Sequence, residues 1–444
     1  MPPSHRLLNT QYRIRRAHPM TPFAERMLRR TASATPAELA EFQERHLKSL
    51  IRVAAARSRF YREWFAGAGV DPRTIQGLDD LGRLPLLDRS HLVTNVGRFR
   101  TRPASTMWSA HSSGTSGRVV TVYRTPWSAV VEHAILERQR RWFAVPARAR
   151  SVILRGHVFG TDSVTRLVPG ANQLLVSSFH LDDRHARRIC DAVERFSPEV
   201  IEGWPSSIAL LARQLRDRGR SMPVRVVVTS SEVTTAAQRA LISESFAAPI
   251  ADQYGQTERA AMAGVCEAGG YHVFPDYGIV ELLPLPERPG RFEIVGTPLH
   301  NRGFPLFRYR TGDEVGPAPT THCACGRAYP LIGTIDGRRD DAFTAADGRA
   351  LPQPSIVLDD IQGLREAQIV QQGTGRFEIR LVPDTRYDAD AVRTQARRNI
   401  DRYFGTGQQV NFVVMDRIPR TTAGKLRSAI VEPGPATVAT GDGR

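Results

Sequence analysis

The sequence predicts an α/β protein. The expected architecture is a large N-terminal domain with mostly parallel sheets covered by helices, a small barrel-like β region, and a small mobile α+β C-terminal domain. Three observations predict it. Between residues 184 and 254, helix-like and strand-like segments alternate at the spacing of right-handed crossovers. After residue 270 the alternation gives way to short strands broken by a Pro-rich turn. A second change comes at Gly337-Arg-Arg-Asp-Asp341, beyond which strand and helix patterns continue for about 90 residues.

Length and composition agree with that reading. A chain of 444 residues exceeds one compact core, and 41% hydrophobic content lies well above the disordered range. Four cysteines cannot staple a chain this long, so a disulfide scaffold is excluded. No stretch approaches the run of about 18 apolar residues that a membrane span needs. Residues 1–30 lack the apolar run of a secretory leader. A cytoplasmic protein with no membrane partner is expected.

Taken in order, residues 36–66 carry apolar positions at helical spacing, and the helices end near Gly67 and Gly69. Leu81–Leu87 is a connector. Arg184–Phe196 reads as a helix, Glu199–Gly203 as a short buried strand, and Pro205–Gly219 as a helix opened by proline and closed by glycine. Val224–Thr229 is a β-branched core strand, Thr234–Ala247 a helix and Pro249–Tyr254 a strand. Tyr277–Leu283 and Arg291–Thr297 are strands of the β region. The C-terminal domain holds strands at Ala367–Gln372, Phe377–Val382 and Gln409–Met415 and a helix at Asp388–Phe404. The expected divisions are 1–339, 340–432 and a disordered tail at 433–444, where Gly, Pro, Ala and Thr carry no pattern.

The net charge of +16 invites a nucleic-acid reading. Residues 1–30 hold seven arginines and one acid, a local +6, but the arginines are scattered rather than interleaved with aromatics. Of the 61 basic residues only Lys48 and Lys425 are lysines, leaving 59 arginines. That skew looks like a bias spread over the whole chain, so no specific nucleic-acid partner is expected. Lysine survives where a compact, flexible ammonium is needed. Lys48 sits in an ordinary helical run. Lys425 sits in the Gly-bearing loop Ile418-Pro-Arg-Thr-Thr-Ala-Gly-Lys-Leu-Arg427 and is taken as functional.

Five segments carry chemistry. Ser112-Ser-Gly-Thr-Ser-Gly117 offers hydroxyls and glycine N–H groups to phosphate oxygens, without the ending of a Walker A loop. Asp252-Gln-Tyr-Gly-Gln-Thr-Glu258 lies at the carboxyl end of a parallel strand, where open α/β sheets bind ligands. There Tyr254 offers an aromatic face for a purine, Thr257 a hydroxyl, and Glu258 a hard oxygen for Mg²⁺. Phe307-Arg-Tyr-Arg-Thr-Gly-Asp313 and Gly337–Asp341 read as charged turns, with Asp313 suited to ribose hydroxyls. The fifth is the Lys425 loop. Singly, the first two read as well as a linker or a solvated turn, the third and fourth read better as ordinary charged turns, and the Lys425 loop alone is taken as functional.

In this order, the five resemble the motifs of the adenylate-forming superfamily of acyl- and aryl-CoA synthetases, luciferases and adenylation domains. Within it the chain looks most like the phenylacetate–coenzyme A ligase-like branch, over roughly residues 40–430. The resemblance implies ATP, Mg²⁺ and coenzyme A as cofactors and co-substrates, a small-molecule carboxylic acid, and an open question of a homodimer. By it Ser113, Gly114, Thr115, Ser116 and Gly117 form the phosphate loop, with Arg118 where lysine is usual. Tyr254 and Gly255 lie on the adenine, Thr257 on the α-phosphate, Glu258 on Mg²⁺, Asp313 on the ribose and Arg338 on the nucleotide. Gln256 replaces a commoner small or apolar residue. Asp340 is the hinge, and Lys425 bridges the substrate carboxylate and the α-phosphate. Lys425, Thr257 and Glu258 are thus the expected catalytic set.

The cysteines add a sixth constellation. Cys266 and His272 lie six apart, and Cys323 and Cys325 follow some fifty residues later. Three thiols and an imidazole suit a closed, structural Zn²⁺ site, and some members of the branch carry a similar set. Cys190 reads as an ordinary buried thiol.

The expected function is activation of an aryl or acyl carboxylic acid to an acyl-adenylate, then transfer to a thiol, most naturally coenzyme A. An amine or carrier-protein acceptor stays open, because residues 342–352 depart from the pattern of coenzyme A-using relatives. So does a non-catalytic basic binding protein on this fold. The acid itself, in a pocket expected near Trp204, residues 229–232 and residues 252–254, is not readable.

Overall fold

The computed structural model describes residues 18–111, 120–159, 163–339, 342–345, 350–351, 354–359, 361–421 and 424–432. The predicted phosphate loop Ser113–Gly117, the hinge Asp340 and the tail from residue 433 lie outside the described residues.

The described chain opens with helices α1 (Thr21–Ala32), α2 (Pro36–Arg57) and α3 (Arg59–Gly67). Thr35 starts α2 with a capping box, exchanging hydrogen bonds with Glu38, and Pro36 takes the first helical position. Ser58, with extended backbone, ends α2 and caps α3 by accepting from the Tyr61 amide. Helix α4 (Arg89–Phe99) follows, then strands β1 (Trp108–His111) and β2 (Thr121–Arg124), which pair antiparallel, and helix α5 (Pro126–Trp142).

The large sheet takes β3 (Ser151–Arg155), β4 (Thr165–Val168) and β5 (Gln173–Ser177). It continues through α6 (Asp183–Phe196), β6 (Val200–Gly203), α7 (Pro205–Arg216), β7 (Val226–Ser230), α8 (Ala236–Phe246), β8 (Ile250–Gly255), β9 (Met262–Val265) and β10 (Tyr271–Val273). Its strand order is β14-β10-β9-β8-β7-β6-β3-β5-β4, where β14 is Leu331–Ile332. The five central strands from β5 to β8 are parallel, and the flanking ones antiparallel. Strands β3 and β6 and the first part of β7 are buried runs of Val, Ile and Leu, as a sheet covered on both faces requires. The predicted alternation of residues 184–254 is therefore present element by element.

The β region is an antiparallel meander of β11 (Gly278–Pro284), β12 (Phe292–Pro298), β13 (Tyr309–Val315) and β15 (Ile335–Arg338). Here the expectation of two charged turns is corrected. Asp313 lies inside β13, and Arg338 ends β15 opposite it. Tyr309, Thr311, Asp313 and Val315 turn inward while Arg310 faces out, a period of two that holds until Glu314, which is also buried.

The C-terminal domain pairs β16 (Phe343–Thr344) with β17 (Ala350–Leu351). Its main sheet is built from β18 (Leu364–Gly373), β19 (Arg376–Pro383), β20 (Gln409–Val414) and β21 (Ala429–Val431), in the order β20-β19-β18-β21. Helix α9 (Ala389–Phe404) lays Val392, Ala396, Ile400 and Phe404, an i, i+4 stripe, on Ile369, Phe377, Ile379 and Leu381. Each large side chain in that core contributes roughly 1.5–3 kcal/mol. Among the described residues no helix is long and apolar enough to cross a membrane.

Candidate active site and thiol cluster

A cleft of about 1150 Å³ opens at the carboxyl ends of β7 and β8 and reaches the C-terminal domain. Tyr254, Gly255, Thr257, Asp313, Arg338 and Lys425 all stand on its wall. Four of the five sequence segments thus yield one surface, and the fifth, the loop 112–119, lies outside the described residues.

The wall formed by β8, β13 and β15 is densely bonded. The Tyr254 hydroxyl donates to Asp313 Oδ2 (2.7 Å), and Gln256 Nε2 donates to that hydroxyl (2.8 Å). Gln256 Oε1 in turn accepts from the Ala261 amide (3.3 Å). Gln256, whose identity carried no reading in the sequence, orients Tyr254. The cross-strand register of β13 and β15 brings Arg338 Nε to 3.4 Å from Asp313 Oδ1. Burial pushes the Asp313 carboxyl above the usual range, against the pull of Arg338 and the Tyr254 hydroxyl. Burial likewise keeps Tyr254 a neutral phenol.

Glu258, the residue after Thr257, is 5% exposed and is not among the residues lining the cleft. Its Oε1 accepts from the Tyr309 hydroxyl (3.3 Å) and lies 3.9 Å from Arg89 Nη1, while Oε2 is buried without a hydrogen-bond partner. An unsatisfied buried carboxylate oxygen is costly alone and suits a hard cation, so the residue fits the magnesium assigned to it.

Lys425 comes from the opposite side. Its Nζ donates to the Ser231 carbonyl (2.7 Å), just past β7, and lies 5.9 Å from the ring centroid of Trp204, the N-cap of α7. The preceding residue fits a crevice. Gly424 has φ +82°, and a Cβ there would stand 2.6 Å from Gly156 Cα and 2.8 Å from Ser178 Oγ. Ser178 Oγ donates to the Gly424 carbonyl (2.9 Å). Beneath the lysine, Glu232 accepts from the Ser206 amide (3.1 Å) at the start of α7. Burial raises the Glu232 carboxyl, and Lys425 opposes the rise. Ser178 was not singled out by sequence, because its contact joins segments 246 residues apart, whereas Glu232 lies in the segment 229–232 expected to wall the acid pocket.

The thiol cluster lies in the N-terminal domain. Cys266, His272, Cys323 and Cys325 place their ligand atoms within 4.8 Å of one another. Cys266 Sγ lies 3.5 Å from Cys323 Sγ, and Cys325 Sγ 3.3 Å from His272 Nε2. A zinc tetrahedron with Zn–S bonds of about 2.3 Å has S–S edges of about 3.8 Å, so these atoms need little movement to close on a metal. His272 Nδ1 donates to the Tyr329 carbonyl (2.9 Å), which leaves Nε2 as the ligand nitrogen. Burial favours the neutral imidazole. The cluster ties the loop before β14 to β9 and β10. Cys190 is a buried free thiol, as expected.

Comparison with known proteins finds similar chains. Residues 355–432 match the family model of the CapK C-terminal domain. The phenylacetate-coenzyme A ligase of Thermus thermophilus is 28% identical, across 88% of this chain and 96% of that protein. The protein CapK of Staphylococcus aureus is 21% identical, across 88% and 89%. Among solved structures, 2-hydroxyisobutyryl-CoA ligase in its postadenylation state, with an acyl-AMP bound, superposes with a TM-score of 0.72 at 20% identity over 91% of both chains. The same enzyme in its thioesterification state gives 0.59 at 21% identity, over 91% of this chain and 92% of that one.

Proposed function

We propose that this chain, an AMP-forming acid–thiol ligase of the adenylate-forming superfamily and its phenylacetate–coenzyme A ligase-like branch, activates a small aryl or acyl carboxylic acid with ATP and passes the acyl group to coenzyme A. The observation that carries the reading is Lys425, one of two lysines in the chain, brought from the C-terminal domain onto the cleft that holds Tyr254, Thr257, Asp313 and Arg338.

The residues divide the work by charge. Asp313 accepts from the ribose hydroxyls, Arg338 lies beside it, and Tyr254 covers the adenine. Thr257 and the 113–117 loop donate to phosphate oxygens. A carboxylate approaching the α-phosphorus is an anion meeting a polyanion, so catalysis is positioning and neutralisation. Lys425 delivers a point charge between the two, a task that suits an ammonium on a flexible stem better than a planar fork. Glu258 would hold Mg²⁺ through its unpartnered oxygen, and the ion would supply further neutralisation of the polyphosphate. The attack joins carboxylate oxygen to the α-phosphorus and releases pyrophosphate. A thiolate then takes the acyl carbon, and AMP leaves.

On this reading the chain divides near residues 339–340, Asp340 is the pivot between the two half-reactions, and the thiol cluster holds a structural zinc ion. A cytoplasmic setting belongs to the same reading, since there such a Cys/His cluster is a metal site rather than a disulfide. The test is carboxylate-dependent exchange of labelled pyrophosphate into ATP across a broad panel of acids, followed by thioester detection with coenzyme A. Exchange with at least one acid is expected. No exchange with any acid overturns the reading.

A further inference from the structure

We infer that Arg213, near the C-terminal end of α7, is a positioning residue that holds Lys425 in the cleft without touching the reacting atoms; the inference rests on the adenylation role proposed above. Helix α7 meets the C-terminal domain at two places. At its N-terminus Trp204 lies under the Lys425 ammonium. Nine residues on, about 14 Å along the helix axis, Arg213 Nη1 donates to the main-chain carbonyls of Leu364 (2.8 Å) and Arg365 (2.5 Å) at the start of β18.

The grip on β18 passes to the lysine loop. Glu366, the next residue, takes Arg420 in a two-pronged pair (2.6 and 3.1 Å). Arg420 faces Leu426 across the neck of the loop, and the Thr421 amide donates to the Lys425 carbonyl (3.0 Å). One contact between two bodies leaves a pivot, whereas two contacts some way apart define an orientation. A third, weaker contact joins Arg365 to Asp183 in the first turn of α6, while Arg365 Nη2 also donates to the Asp416 carbonyl (2.8 Å).

The chemistry of the grip makes it reversible. Arg213 gives its hydrogen bonds to neutral carbonyls rather than to a carboxylate, so its desolvation is only partly offset. Burial accordingly lowers the guanidinium below its usual range, against the more distant carboxylates Asp384, Asp217 and Glu366. Backbone carbonyls are also read whatever side chains surround them. The contact is therefore fit to orient the domain for one step and to release it for the next.

The scarcity of lysine supplies the assay. Brief acylation with acetic anhydride, read by mass spectrometry, reports the accessibility of Lys425, with Lys48 on α2 as the internal standard. In Arg213→Ala the Lys425:Lys48 labelling ratio should rise about fivefold as the docked population falls. Adenylate formation should slow about tenfold, with transfer from preformed acyl-adenylate unchanged or faster, and Arg213→Lys should restore part of the first rate. The labelling ratio needs no substrate, so it tests the grip even if no acid supports exchange. An unchanged ratio, or equal loss in both half-reactions, overturns the inference. Should the alanine variant fold poorly, Asp183→Ala takes its place, with an expected rise of about twofold; no rise there overturns it equally.

Discussion

The two walls of the cleft are built differently. On the nucleotide side, Gln256, Tyr254, Asp313 and Arg338 form a chain of buried contacts between strands of rigid sheets. On the other side the tip of the lysine loop is held by the Ser178 hydroxyl and the Ser231 carbonyl. A dense network is preorganised and stays in place through a reaction. A loop tip reaching across from another domain can be withdrawn. The difference teaches where each half-reaction is most easily broken: loop changes should separate the two halves, and nucleotide-wall changes should act on binding.

The hardest break is Lys425→Ala. Adenylate formation should fall by about 300-fold, about 3 kcal/mol of barrier, while transfer from preformed adenylate is affected far less. Stopped assays of the separate half-reactions decide it, and equal losses would make the loop as permanent a wall as the other. Gly424→Ala should follow, with about a thirtyfold loss of adenylation, because its Cβ has no room against Gly156 and the backbone is left-handed. Transfer from adenylate should again be spared.

On the nucleotide wall, Tyr254→Phe removes the donor to Asp313 and should raise the KM for ATP about tenfold with kcat little changed. It also carries a pH signature. The Asp313 carboxyl already titrates above the ordinary range, through burial, and the Tyr254 hydroxyl restrains that rise. On the proposed function ATP binding needs the carboxylate, so it should weaken as pH falls through the raised pKa, and Tyr254→Phe should move that acid limb to higher pH. For stability the sign is opposite: a raised carboxyl contributes most below its unfolded value, and that contribution is lost as pH rises through the folded one. A limb that moves down instead would show that the hydroxyl does not stabilise the carboxylate.

The smallest effect on chemistry belongs to the thiol cluster, on the far edge of the rigid side. Elemental analysis should find about one zinc ion per chain, and well under half an equivalent sinks the assignment. Cys323→Ser should lower Tm by about 5 °C. Adenylation at 25 °C should stay within about twofold of wild type. A larger kinetic effect would make the cluster part of the reacting surface.

What was legible in the sequence follows the range of the physical signal. Helix α9 announced itself through Val392, Ala396, Ile400 and Phe404, and the parallel strands through short buried runs of Val and Ile. Lys425 stood out by its scarcity and by its place in a Gly-bearing loop. Strand β13 was hidden because two of its inward residues, Thr311 and Asp313, are polar and Gly312 mimics a turn. Its pairing with Arg338 depends on register, which no local pattern carries. Ser178 is an unremarked serine until the chain returns to it 246 residues later.

Gly424 has a consequence at the level of the gene. Every single-base change in a glycine codon that alters the residue without ending the chain adds a side chain, and the crevice at Gly156 and Ser178 has no space for even the smallest. Its neighbour faces a different hazard, since one base turns either lysine codon into arginine, the residue this chain carries 59 times among its 61 basic positions. Two adjacent codons are thus exposed to constant mutational supply, one resisting it by volume and the other by the chemistry of an ammonium.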